Sequence, residues 1–173
     1  MNWYAFLIGI GTSLAIWRVI QEQEKPQKFR WGFLSLWVLL GSWLGARIAF
    51  FIWHPAIILD LGWQAFGLRE GGLVWPGAVA GAWLSIWLIS LRVDKSFLET
   101  ADFLIVMLPP IAITSWLAGW FSGSAYGPIM TEAWWVPMSL DDTFQMAPHF
   151  PLQLVAAASL FFLYVFAETR IPK

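Results

Sequence analysis

The chain has 173 residues, of which 59% are hydrophobic and 12% are charged, whereas soluble domains carry about a quarter charged residues. This composition argues against a water-soluble domain and predicts a single membrane domain. A net charge of −1 offers no basic surface for nucleic acid, and the absence of cysteine excludes disulfides and thiolate metal sites.

Five apolar runs approach the length of a membrane-spanning helix, which needs about 20 residues. In chain order they cover residues 3–17, 31–53, 73–91, 103–121 and 151–167. The runs are continuous rather than alternating, so we predict an all-α transmembrane bundle of five helices. Inside the fourth run, Pro109 and Pro110 lack amide donors, which predicts a kink or break in that helix.

The basic residues of the connecting segments predict the orientation of the chain in the membrane. Eight of them follow the first, third and fifth runs, and Arg69 is the only one in the other two loops. Because positive charge is retained on the cytoplasmic side, we expect the N-terminus outside and the C-terminus in the cytoplasm. The loops 54–72 and 122–150 are then predicted to lie on the outer face.

Small and aromatic residues within the runs indicate what the helices pack against. Glycines four residues apart let helix backbones approach closely, and ordinary packing within the chain is the favoured interpretation. The sequence is also tryptophan-rich, with 14 tryptophans. Those deep in the runs fit packing inside the bundle, a partner helix, or a flat pigment or quinone. The glycine pairs are Gly41 with Gly45, Gly77 with Gly81 and Gly119 with Gly123, and the spaced tryptophan pairs are Trp83 with Trp87 and Trp116 with Trp120.

An arginine inside the second run is the main functional signal, because intramembrane charges need a partner. Arg47 follows Gly45-Ala46, and Glu70 or a lipid phosphate is its predicted partner. This motif belongs to an ordered series that resembles the prolipoprotein diacylglyceryl transferase family across nearly the whole chain. The series is Trp3-Tyr4, Gly45-Ala46-Arg47, Glu70-Gly71-Gly72, Ser96-Phe97, Asp102-Phe103, Tyr126-Gly127 and Pro151-Leu152-Gln153-Leu154.

The resemblance implies transfer of a diacylglyceryl group from phosphatidylglycerol to the lipobox cysteine of a prolipoprotein. It also implies a multi-pass protein of the bacterial cytoplasmic membrane, with a site that opens toward the outer side. We expect Arg47, Glu70 and Tyr4 to bind lipid, and Tyr4 is a vestigial candidate for catalysis.

Several positions depart from the family pattern in ways that remove its chemistry. Pro76 stands where the resemblance places a histidine, and Trp116 stands where it places an arginine. Gly119 replaces an asparagine and Ser124 replaces a glutamate. The resemblance also gives no counterpart for the last family spans, so we expect a divergent, shortened relative and a pseudoenzyme without catalytic residues.

The two histidines, His54 and His149, are predicted to lie in outer loops. Loop histidines satisfied by water or backbone are the favoured interpretation. The alternative is an axial ligand of a tetrapyrrole pigment, because neutral imidazole is a common metal ligand. No cofactor is expected with certainty.

Two functions of different classes remain open from the sequence. The first is a noncatalytic accessory or structural subunit of a larger membrane complex, respiratory or photosynthetic, with membrane lipids and other integral subunits as partners. The second is a lipid-modifying transferase that uses phosphatidylglycerol with rearranged catalytic groups.

Overall fold

The structure is a computed structural model, and it describes residues 3–56, 74–130 and 146–170, together with the backbone of residues 138–140. Helices form nearly all of this part, which confirms the all-α membrane fold. They are α1 (Trp3–Gln21), a 3-10 turn (Lys25–Gln27), α2 (Lys28–Trp53), α3 (Trp75–Ser90), α4 (Phe97–Ile105), α5 (Leu108–Ser122) and α6 (Leu152–Arg170). Two short strands, β1 (Met138–Leu140) and β2 (Met146–Pro148), pair in antiparallel fashion.

Three of these helices, α1, α2 and α6, are long and apolar enough to cross a membrane. The bent pair of α4 and α5 gives a fourth span if it is counted as one. Helix α3 is apolar but has 16 residues, so it is about 24 Å long against a hydrocarbon core of about 30 Å. Within the described residues, the predicted run 73–91 therefore forms a helix that is shorter than a full membrane span.

The predicted fourth span, 103–121, is divided into two helices. Helix α4 ends at Ile105, and α5 begins at Leu108 with the two prolines in its first turn. A first-turn amide has no partner inside the helix, so proline costs little there, whereas it cannot continue a helix that is already formed. The expected break is confirmed, and it precedes the proline pair.

The helices extend beyond several of the predicted spans. The spans were predicted from apolar residues, which indicate the part of a helix inside the bilayer, whereas the helix itself continues for as long as its backbone hydrogen bonds do. Helix α1 continues to Gln21, α2 begins at Lys28, and α6 continues to Arg170. These added turns carry polar and charged side chains, which can reach the headgroup region from a helix end.

The chain forms two compact units, and the first of them contains residues 19–105. Its centre is the antiparallel contact between α2 and α3, where two of the three predicted glycine pairs meet. A Cβ on Gly41 would lie 3.0 Å from the carbonyl oxygen of Gly81, and one on Gly77 would lie 3.0 Å from the carbonyl carbon of Gly45. The favoured interpretation, packing within the chain, is confirmed for these four glycines.

The second unit contains residues 1–18 and 106–173. Trp3 stacks on Phe121 with ring centroids 5.8 Å apart, which joins the beginning of α1 to the end of α5. Arg18 forms an ion pair with Glu168 near the opposite end of α1, and this pair joins α1 to α6. The hairpin of β1 and β2 belongs to the same unit, in the predicted loop 122–150, with Ser139 opposite Ala147.

The two glycines of the third pair have different roles. Gly123 has a φ of 65° and ends α5 in the left-handed conformation, where a side chain would be strained. Gly119 faces both the turn that follows α5 and Gln153 of α6. Packing within the chain is therefore confirmed for Gly119, whereas Gly123 marks a helix end.

The tryptophans of α3 lie on an uncovered face. Trp83 and Trp87 are 60% and 49% exposed in the part of the chain that the structure describes, so packing inside this unit does not cover them. Trp116 is half-buried in α5. Large exposed apolar residues are expected where a protein faces lipid or another membrane subunit.

Candidate functional site

Arg47 is buried in the unit that contains α2 and α3, with 3% of its surface exposed. Its guanidinium carbon lies 5.0 Å from the ring centroid of Phe51 and 5.5 Å from that of Phe50. Such cation–π contacts stabilise a charge where water is scarce. Glu70, the predicted protein partner of Arg47, lies outside the described residues.

Pro76 lies in the first turn of α3, beside the segment of α2 that carries Arg47. The amide of Val74 donates a hydrogen bond of 3.3 Å to the carbonyl oxygen of Ala46. Gly77 packs on Gly45, so the entry into α3 is fixed against residues 45 and 46. A first-turn position tolerates proline, and the ring of Pro76 has no group that accepts or donates a proton.

The other substituted positions lie in the second unit, at the end of α5. The amide of Ser124 donates to the carbonyl oxygen of Gly119 at 3.0 Å, and the side-chain amide of Gln153 donates to the carbonyl oxygen of Ser124 at 2.9 Å. The hydroxyls of Ser122 and Ser124 share a hydrogen bond of 2.8 Å. Two positions where the resemblance places an asparagine and a glutamate are therefore joined directly by a backbone hydrogen bond, and Gln153 binds one of them.

The space beside Gly119 is already occupied by this turn. A Cβ on Gly119 would lie 3.4 Å from the carbonyl oxygen of Ser124 and 3.8 Å from Cγ of Gln153. A small methyl group fits at these distances, whereas an asparagine amide would compete with Gln153 for the same carbonyl. Trp116 lies three residues earlier in α5, so the described end of α5 carries no charged side chain at these three positions.

His149 is buried rather than exposed, with 2% of its surface accessible. Its ring packs on Tyr126 with centroids 4.5 Å apart, and its backbone pairs with Ile129 across an antiparallel bridge. The Nδ1 atom has no hydrogen bond to any residue that the structure describes, and the same holds for Oε1 of Gln153. The position of His149 near prolines in the sequence does not reveal that the 126–130 segment covers it, and its interpretation as a loop histidine satisfied by water or backbone stays a prediction.

His54 is exposed and follows the last residue of α2. Its ring stacks on Phe50 at 4.7 Å, and Nδ1 lies 3.3 Å from the Phe50 carbonyl oxygen. Within the described ranges, no group of three or more histidine, aspartate or glutamate residues lies together. The pigment role of His54 and His149 stays a prediction.

Tyr4 is 44% exposed near the beginning of α1. It belongs to the same compact unit as Trp116, Gly119 and Ser124, whereas Arg47 and Pro76 belong to the other unit. The predicted site residues thus fall into two local groups. Sequence reasoning did not predict that the half-buried Tyr126 packs on the buried His149 or that Gln153 binds Ser124, although the motifs Tyr126-Gly127 and Pro151-Leu152-Gln153-Leu154 contain two of these residues.

Comparison with known proteins identifies the family. The sequence model of the prolipoprotein diacylglyceryl transferase family matches residues 1–172. The chain belongs to this family. The resemblance seen in the ordered motifs is thereby confirmed, and the bacterial relatives and membrane-spanning helices make this diacylglyceryl transferase relative a bacterial inner-membrane protein.

Relatives from three bacteria are similar to much of this chain, and each of them is a phosphatidylglycerol–prolipoprotein diacylglyceryl transferase. The one from Zymomonas mobilis is 29% identical over 139 residues, which cover 78% of this chain and 48% of that protein. The one from Ectopseudomonas mendocina is 30% identical over 182 positions, with 95% and 65% covered. The one from Nitratidesulfovibrio vulgaris is 25% identical, with 99% and 68% covered. The chain thus spans about half to two thirds of the length of these relatives.

Proposed function

We propose that this chain is a noncatalytic member of the diacylglyceryl transferase family that binds phospholipid and serves as a structural or accessory subunit of a membrane complex. The observation that carries the proposal is Pro76 in the first turn of α3, beside the Arg47 segment of α2. A proline at this point supplies no acid or base to a bound lipid.

The loss of an acid–base group matters because the family reaction begins with a thiol. The lipobox thiol must lose a proton before it attacks, and glycerol phosphate must leave with its negative charge stabilised. Removal of a general base typically costs ~10²–10⁴ in rate. Pro76 cannot supply that step.

The group at the end of α5 adds a second loss. Trp116, Gly119 and Ser124 are uncharged at positions where the resemblance places arginine, asparagine and glutamate. Loss of preorganised charge stabilisation typically costs a further ~10²–10³ in rate. The two losses concern different elements of the chain, namely α3 and the end of α5.

Phospholipid binding is supported by Arg47. A guanidinium can bind a phosphate through two parallel N–H···O contacts, and this geometry is strong where water is excluded. Arg47 is buried in the unit that contains α2 and α3, and its charge lies beside the rings of Phe50 and Phe51. Glu70 and Tyr4 stay lipid-binding residues predicted from the sequence.

A transferase assay tests the noncatalytic part of the proposal. The purified chain is incubated with labelled phosphatidylglycerol and a lipobox peptide, and the Ectopseudomonas mendocina relative serves as the positive control. We expect labelled peptide from the relative and none from this chain. Turnover above that of an Arg47→Ala variant would contradict the proposal.

The role as a subunit is supported by the uncovered aromatic face of α3, where Trp83 and Trp87 are exposed. Mass measurement of the gently solubilised native protein tests this role. We expect a stoichiometric complex with at least one other integral membrane protein. A free monomer under the same conditions would contradict the subunit role and leave the assay result on catalysis intact.

A transferase with rearranged groups is the second candidate, and His149 is the observation that favours it. Its buried ring lies against Tyr126 with Nδ1 unbonded to the described residues, and neutral imidazole is a good general base. If turnover is found, His149→Gln should abolish it, whereas His54→Gln at an exposed histidine should not. Equal effects of the two variants would remove this candidate.

A further inference from the structure

An apolar groove of about 550 Å³ lies between the beginning of α2 and the end of α3, far from Arg47. Arg30 and Arg92 stand among the lining residues with Phe33, Trp37 and Leu88. Arg30 and Arg47 are 17 residues apart in one helix, which is about 25 Å along its axis. The groove is therefore separate from Arg47.

Two arginines are held together at one end of this groove. The Nη2 atom of Arg30 donates a hydrogen bond of 2.9 Å to the main-chain oxygen of Arg92. Both residues are exposed, and neither side chain forms an ion pair with a residue that the structure describes. Each guanidinium has five donors, so most of the donors here remain available to an anion.

The nearby carboxylate does not neutralise the two arginines. Asp94 follows Arg92 by two residues in an exposed turn, and it makes no ion pair with either arginine. The neighbouring Lys95 has its Nζ 4.7 Å from the ring centroid of Phe103, and its charge also acts on the exposed carboxylate of Glu99. The charge at this end of the groove is complementary to an anion.

The rest of the groove is suited to hydrocarbon. Phe33, Trp37 and Leu88 are each about half exposed, at 52%, 51% and 50%. Trp37 lies seven residues after Arg30, about 10 Å along α2. A phosphate bound by Arg30 would therefore place an attached acyl chain against Trp37. The charged headgroup would then lie at the arginine end of the groove, and the apolar tail would lie along its aromatic and aliphatic residues.

We infer that this groove binds an anionic glycerophospholipid of the leaflet predicted to be cytoplasmic. Its phosphate contacts Arg30 and Arg92, and one acyl chain lies along Phe33, Trp37 and Leu88. The location agrees with the excess of basic residues predicted for that side, because anionic headgroups are enriched where such residues meet the bilayer. This inference does not depend on catalysis or on Arg47.

Native mass spectrometry of the full chain tests the inference, with phosphatidylglycerol and phosphatidylcholine as the probes. We expect phosphatidylglycerol to be retained about tenfold better, because both lipids carry the phosphate but only phosphatidylcholine brings a choline cation that the two arginines repel. Arg92→Gln should remove most of this preference at the groove. Its backbone oxygen still accepts from Arg30, so the fold of the turn is preserved, and Arg170→Gln is the matched control at another exposed helix end.

Photocrosslinking locates the bound lipid. Phosphatidylglycerol with a diazirine in its acyl chain should label the peptides that contain residues 33–37 and 85–91, and Arg92→Gln should reduce this labelling about tenfold. Equal labelling of wild type and Arg92→Gln, or an equal loss in Arg170→Gln, would overturn the inference. Full displacement of the lipid by soluble glycerol phosphate would also overturn it, since the site would then recognise phosphate alone.

Discussion

Gly45 of α2 and Gly81 of α3 pack backbone against backbone, so that a Cβ added to Gly45 would stand 2.8 Å from the Cα of Gly81. No side chain separates the two helices at this point. Since lipid gives helices no hydrophobic drive to associate, close backbone packing supplies much of the attraction between them. The same contact places Arg47 and Pro76 on adjoining segments.

Gly45→Ala should destabilise the protein by about 1–3 kcal/mol, because the new methyl group meets backbone atoms that cannot move aside. Gly9→Ala is the matched control, since a Cβ there meets nothing within 4 Å. We expect the control to be neutral or slightly stabilising. Thermal unfolding in detergent measures both, and equal stability of the two variants would show that the α2–α3 contact is looser than described.

Ser96→Ala should destabilise the beginning of α4 by about 1 kcal/mol, because Ser96 and Glu99 form a reciprocal cap. The amide of Ser96 donates to Oε2 of Glu99 at 2.8 Å, and the amide of Glu99 donates to the Ser96 hydroxyl at 3.2 Å. Ser13→Ala is the control, because the Ser13 hydroxyl bonds only a carbonyl of its own helix at 2.8 Å. The difference in unfolding midpoint between the variants tests the cap.

Arg47→Met should be strongly destabilising while Glu70 remains, and milder when Glu70 is replaced as well. Removing one member of a buried ion pair leaves an uncompensated charge, typically at a cost of about 3–5 kcal/mol. A double-mutant cycle of Arg47→Met and Glu70→Gln by unfolding in detergent measures the coupling. Additive effects would show that the two side chains do not meet, and would favour a lipid phosphate as the partner.

The predicted topology can be tested by cysteine labelling, because the native chain has no cysteine. Pro26→Cys lies in the exposed turn before α2, and Ile129→Cys lies in an exposed segment between α5 and β1. We expect an impermeant thiol reagent applied from outside to label position 129 but not position 26. The opposite pattern would invert the orientation.

The unmodified chain should not restore growth to a strain depleted of its own diacylglyceryl transferase. Pro76→His or Trp116→Arg alone should also fail, because groups that act as a unit are strongly nonadditive. Lipoprotein mobility on gels measures the modification directly. Growth with correctly lipidated lipoproteins, dependent on the unmodified chain, would refute the noncatalytic proposal.

The sequence by itself determined the class of protein, the family and the approximate helices. Apolar runs of bilayer length specify membrane helices locally, since a residue buried in lipid must be apolar whatever its neighbours are. The position of Pro109 and Pro110 likewise predicted the break before α5, because the missing amide donors act within one turn. The ordered motifs predicted the family that the comparison confirmed.

Only the tertiary structure decided which of these local features meet. It joined Gly45 to Gly81, covered His149 with Tyr126, and linked Gln153 to Ser124 across 29 positions of sequence. The structure also shows that α3 is shorter than the predicted run and that α5 ends at Gly123. These outcomes depend on how segments that are remote in sequence pack together. The spacing of residues within one segment predicts which face of the helix a residue occupies, but it does not predict which other segment packs on that face.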